Sequence, residues 1–112
     1  MSNSKNLGEF EILVLAALLR LKDQAYGAKI RSEIETRAGR SVSVGALYST
    51  LSRLEDKAYI YSKMGDATAI RGGRAKRYYN LTGLGREKLN LAISGLNAML
   101  KGVAGWQDIP TR

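Results

Sequence analysis

Residues 70–82 read IRGGRAKRYYNLT and hold the densest chemistry in the chain. Arg71, Arg74, Lys76 and Arg77 stand around the pair Gly72 and Gly73. Cationic side chains on a glycine-rich bend suit phosphate, whether on a nucleotide or along a nucleic-acid backbone. A nucleotide-binding phosphate loop needs the spacing G-x-x-x-x-G-K-[ST], which this stretch lacks. The 112 residues contain no cysteine and no histidine. That excludes disulfides, thiolate metal sites and the commonest general base. The carboxylates offer little instead. Glu33 and Glu35 are two apart and do not share a helix face, and Asp23 and Asp108 are isolated. Only Ser–Lys chemistry is left for an enzyme, and nothing marks it. The reading is therefore non-enzymatic, with no metal and no cofactor.

The charge balance points the same way. Lys plus Arg number 18 against 10 Asp plus Glu, a net of +8. Residues 1–50 carry 7 basic and 5 acidic side chains, and residues 51–112 carry 11 and 5. Positive charge gathered in one half favours a polyanion, either nucleic acid or an anionic membrane surface. The longest apolar run, residues 12–19, is too short to span a bilayer and follows Glu9 and Glu11 rather than a basic segment. No membrane partner and no signal peptide are expected, and the localisation is cytoplasmic, on the nucleoid. The length fits one domain, small enough to gain stability in an oligomer.

These cations must be carried by a scaffold, and apolar spacing sketches it. Residues 7–21 predict a helix with a stripe of Leu7, Phe10, Val14, Ala17, Leu18 and Leu21. Ile12, Leu15, Ala16 and Leu19 fall on another side, and a helix apolar nearly all round needs a second partner. After a turn, residues 26–38 form a second helix with Ile30, Ile34 and Ala38 inward and Gly39 ending it. Ser43 caps a third helix over 44–58, with Val44, Leu47, Leu51, Leu54 and Ala58 as its stripe. Its opposite side carries Gly45, Ser49, Ser52, Arg53 and Asp56, with Ala46 beside them and Tyr48 and Thr50 on the flanks. Residues 59–64 and 74–81 make a β-hairpin whose tip is the basic glycine loop. Tyr79 and Leu81 share the face beneath the helices, Arg77 alternates with them, and Tyr78 faces away. Thr82 caps a fourth helix over 83–102, weakened by Gly85. There Leu89, Ile93, Leu96, Leu100 and Val103 recur in a heptad-like stripe about two repeats long.

The fold class is mainly α with a small β-hairpin: a winged helix-turn-helix followed by a dimerisation helix. Four segments are expected: a frayed start at 1–6, a DNA-binding domain at 7–82, the dimerisation helix at 83–105 and a tail at 106–112. A helix-turn-helix places its second helix in the major groove of double-stranded DNA. Short hydroxyl side chains let the third helix approach closely. Ser43, Ala46, Tyr48, Ser49 and Arg53 are its candidate DNA contacts, and arginine suits guanine. Arg71, Gly72, Gly73, Arg74 and Lys76 are the candidate hairpin contacts, supplying affinity through counterion release. Homodimer contacts are expected from Ile12, Leu15, Leu19, Leu89, Ile93, Leu96, Leu100 and Val103. An architectural DNA binder or a protein-interaction module is the alternative.

Three stretches in order resemble the PadR-like regulators. LGEFEILVLAALLRLKDQAYGAKI is similar to their opening, with the aromatic–glycine pair Tyr26-Gly27. VSVGALYSTLSRLEDKAYI is similar to their third helix, with Gly45, Leu47, Tyr48, Leu51 and Leu54 as the shared core. GGRAKRYYNLTGLGRE is similar to their hairpin and its exit. The resemblance implies a homodimeric transcription factor, commonly a repressor, dimerising through the last helix with the partner's first helix against it. It also brings a small-molecule inducer near the dimer centre, for which these residues give no support of their own. Trp106 is the candidate ligand contact, set against packing or a loose tail. Val44 stands where many relatives have proline, and the short last helix fits the compact members.

Overall fold

The first helix, α1 (Glu9–Leu21), is the axis of the fold: it packs against all three other helices and one strand. The computed structural model describes residues 6–65 and 75–106. The hairpin-tip candidates Arg71, Gly72, Gly73 and Arg74 lie outside the described residues. Gly8 caps α1 without a side chain, so the Glu11 carboxylate supplies the acceptor, taking the Gly8 amide at 2.8 Å. Val14, Leu15, Ala17 and Leu18 are buried. This corrects one expectation. Leu15, assigned to a second-chain face, is 0% exposed within the protomer. Neighbours on several sides use up most of the apolar surface of α1, leaving Leu19 exposed and Ile12 half-buried.

A 3-10 turn, Lys22–Gln24, leads to α2 (Gly27–Ala38). Ile30 and Ile34 face the core, whereas Ala38 is exposed because the helix has by then left it. Gly39 ends α2 at φ 69°, a left-handed position where glycine has no Cβ to clash. The connector is held from α2: Glu35 accepts the Val42 amide at 2.9 Å, and Arg31 donates to the Val42 carbonyl. Val42 itself is buried, so the turn into the next helix is anchored in the core.

Ser43 then caps α3 (Val44–Asp56), accepting the Ala46 amide at 3.0 Å. Leu47, Leu51 and Leu54 form the inner stripe, joined by buried Thr50. Val44 and Ala58 do not belong to it. Val44 begins the helix ahead of its first packed turn and is exposed. Ala58 lies past the helix end at φ 65°, and the Tyr59 amide donates back to the Leu54 carbonyl at 3.0 Å. A left-handed alanine costs about 1 kcal/mol. Ala58→Gly should therefore raise stability by roughly 0.5–1 kcal/mol, seen as a higher urea midpoint at unchanged slope.

Strands β1 (Ile60–Met64) and β2 (Arg77–Leu81) pair antiparallel, with Ile60 opposite Leu81 and Ser62 opposite Tyr79. Ile60 and Tyr79 are buried and Leu81 half-buried, so this face packs on the helices. The far side of β2 is stitched to the start of α2: the Tyr79 amide donates to the Ala25 carbonyl at 2.9 Å, and Tyr26 bridges Tyr78. Thr82 caps α4 (Gly83–Leu100), accepting the Gly85 amide and donating to the Ala58 carbonyl at 2.7 Å. Within α4 only Gly85 and Leu89 are buried. Gly85 is more than a weak point in the first turn. A Cβ there would stand 1.9 Å from the Tyr59 carbonyl oxygen, so the close approach of α4 to the start of β1 requires glycine. No helix among the described residues is long and apolar enough to cross a membrane.

Candidate nucleic-acid interface

The outward side of α3 is built from short side chains. Gly45, Ala46, Ser49 and Ser52 are exposed, and no acidic residue stands among them before Glu55 and Asp56. Ser43 joins them: its oxygen accepts the Ala46 amide in the cap, and its O–H is left to donate. The amides of the first turn point out of the same end, where the helix dipole favours anions.

Tyr48 is more constrained than its sequence position indicates. Its ring is half-exposed, yet a Cβ on Gly27 would fall 1.9 Å from its hydroxyl. The phenol therefore lies across the bare backbone that opens α2. The aromatic–glycine pair at the start of α2 has two uses here. Tyr26 serves the hairpin, and Gly27 makes room for Tyr48.

Arg53 is also tethered. One guanidinium nitrogen donates to Thr50 Oγ1 at 3.2 Å, and Nε lies 3.9 Å from the Glu11 carboxylate. The head group is drawn to the α1 flank of α3 and remains half-exposed. Glu11 is a site residue that sequence reasoning misses. Its carboxylate is buried between α1 and α3 and takes Lys57 Nζ at 3.3 Å. The two residues are 46 apart in the chain, and the only local signal for Glu11 is its place in the first turn of α1.

At the root of the hairpin, Lys76 Nζ stands 4.9 Å above the Tyr26 ring, a cation–π contact. Tyr78 meets the same ring edge-on, centroids 5.6 Å apart. Gly65 closes this end, donating to the Lys76 carbonyl at 2.7 Å. Lys76 is thus exposed but seated. Arg77 does different work: it donates to Ser62 Oγ at 3.1 Å, and Ser62 donates to Glu55 at 2.8 Å. That chain ties the hairpin to the last turn of α3. Burial pushes the Tyr79 phenol above its ordinary pKa. On the remote side of α1 and α2, hydrogen bonds from Arg20 and Arg37 hold Glu33 below the usual carboxylate range.

A second surface lies on α4. Ile93 and Leu96 are exposed, as are Met99 beside the heptad seam and Leu91 off it (77% and 61%); Val103 is exposed too, but it lies past the end of α4 and so does not continue the seam. Leu91 escapes the sequence reading because it does not fit the seam spacing. Leu89 is corrected the other way: it is buried in the protomer's own core and offers no surface to a second chain, and Leu100 is half-buried. Leu7, Glu9 and Ile12 of the α1 end face Leu91, Ala92, Leu96 and Met99 across a groove of about 790 Å³. Trp106 is half-exposed beyond α4, where it borders a separate hollow of about 480 Å³ with Asn97 and Lys101. The described residues hold no cluster of three or more metal-ligating side chains.

Residues 14–91 match the family model described as the transcriptional regulator PadR-like family. A transcriptional regulator of Mycobacterium tuberculosis is 34% identical over 86 residues, covering 77% of this chain and 76% of its own length. A PadR family transcription regulator from Clostridium difficile superposes with a TM-score of 0.69 at 29% identity, over 84% of this chain and 93% of that one. Bacillus subtilis PadR, solved with operator DNA, has the same fold at a TM-score of 0.62 and 24% identity, over 92% of this chain and 51% of that one. With four helices, one hairpin and a matching family model over most of its length, the chain belongs to the PadR-like family of transcriptional regulators.

Proposed function

We propose that this regulator binds double-stranded DNA as a homodimer and represses transcription from a palindromic operator. The observation that carries the reading is the exposed face of α3: short and hydroxyl side chains, free of acid over two turns, beside a seated basic hairpin root. Two α3 helices would enter successive major grooves about 34 Å apart. The operator complex of the Bacillus subtilis relative supports the choice of partner. Ser49, Ala46 and the remaining donors of Arg53 would read base edges. Arg71, Arg74 and Lys76 would neutralise phosphates, with Gly72 and Gly73 allowing the bend. Residues 7–82 would form the DNA-binding unit and α4 the dimerisation helix, which ends at Leu100 rather than running on to 105 as the sequence suggests, because Gly102 and Gly105 take left-handed turns. The protein would act in the cytoplasm, on the nucleoid.

Selection of bound duplexes from a random pool tests the reading directly. A recovered palindrome supports it, and a pool without consensus favours an architectural binder. The hairpin has its own signature. Replacing Arg71, Arg74 and Lys76 with alanine should weaken binding to every sequence. The slope of log affinity against log salt should flatten by about 0.9 for each phosphate that is no longer neutralised. An unchanged slope would remove the hairpin from the interface.

A further inference from the structure

Glu11 is the buried carboxylate that joins the two surfaces. One of its oxygens accepts the Gly8 amide and so fixes the first turn of α1. That turn contributes Glu9 and Ile12 to the groove facing α4. The other oxygen reaches α3, with Lys57 Nζ at 3.3 Å and Arg53 Nε at 3.9 Å. An exposed pair repeats the link at the other end of α3: Glu9 lies 3.0 Å from Arg40, three residues before the Ser43 cap. Exposed pairs contribute little, but a buried carboxylate stripped of its cations is costly, so the Glu11 contact is the firm one.

We propose that Glu11 is a positioning residue for DNA recognition, acting through Arg53. Its charge, 3.9 Å from Arg53 Nε, draws the guanidinium to the α1 flank of α3 while a second nitrogen donates to Thr50 Oγ1, which biases where the remaining N–H donors are offered to DNA. The proposal rests on α3 reading DNA. It concerns discrimination between sequences, not bulk affinity.

The test is Glu11→Gln, which keeps shape and an oxygen for the Gly8 amide but removes the charge that holds Lys57 and Arg53. Affinities for the selected operator and for random duplex are measured at one salt concentration. The expected result is a fall of about tenfold in the operator-to-random ratio, with random-DNA affinity unchanged or higher. Adding Arg53→Ala to Glu11→Gln should then produce little further change in that ratio, since both act on one interaction. A purely structural role would lower both affinities together, and removal of one negative charge alone would raise both together; either pattern overturns the proposal. A wild-type ratio near one overturns the DNA-reading function and this proposal with it. A high wild-type ratio that survives in Glu11→Gln overturns this proposal alone. One readout needs no variant: nitrogen-15 relaxation at Arg53 Nε in the free wild-type protein should match the ordered backbone, and a fully mobile Nε–H also overturns it.

Discussion

Gly85→Ala is expected to cripple folding, while Gly83→Ala, two residues earlier in the same helix, leaves the protein intact. At Gly83 an added Cβ meets nothing within 4 Å. At Gly85 it meets the Tyr59 carbonyl oxygen at 1.9 Å, the carbonyl carbon at 2.8 Å and the Cα at 3.1 Å. These are backbone atoms, so no rotamer change relieves the clash. Nor can Tyr59 withdraw. Its carbonyl accepts the Thr82 amide at 3.0 Å, and its own amide is held by Leu54 at 3.0 Å. Relief requires α4 to lift from β1, which breaks the Thr82 hydrogen bonds and uncovers Leu89. Overpacking of this kind costs about 3 kcal/mol or more, a large share of the 5–15 kcal/mol typical of a domain. With a urea slope of about 1–3 kcal/mol per molar, the midpoint should fall by roughly 1 M or more, compared at equal protein concentration. An unchanged midpoint would mean that α4 does not seat on β1 as described.

The second large effect concerns assembly. Leu96→Lys should convert the proposed dimer to a monomer without unfolding it. Leu96 is more than half exposed in the protomer and lines the α1–α4 groove, so its replacement costs the fold less than about 0.5 kcal/mol. An ammonium in an apolar seam is costly unless paired. Light scattering should fall from two chains to one. Operator affinity should drop about a hundredfold, on the order of 3 kcal/mol, because the second half-site is no longer held at high effective concentration. Lysine is the informative choice, since added positive charge by itself favours DNA. An unchanged mass would place the interface elsewhere.

Local chemistry is legible in the sequence. Ser43 and Thr82 as caps, Gly39 as a left-handed stop, and Tyr79 as a buried anchor all depend on a few neighbouring residues, and all stand as the sequence indicates. Facing is less legible. Leu15 and Leu89 have the right spacing for a dimer seam, but packing within the protomer takes them first. The contacts that shape the site are invisible because they are non-local. Tyr48 across Gly27, Glu11 with Lys57, and Gly85 under Tyr59 each join residues 21 or more apart in the chain. By sequence, Gly85 is a weak helix start and Glu11 an ordinary first-turn acid. Each has a role that only the partner reveals.

The stitch between β2 and the start of α2 has a consequence for solubility. A two-stranded hairpin ordinarily leaves two rows of unpaired amides and carbonyls, templates on which further strands can add and aggregation can begin. Here the Ala25–Tyr26 segment occupies one of those rows. At Tyr78 and Tyr79 that edge is therefore closed to a strand from another copy, which removes the middle of one template for aggregation.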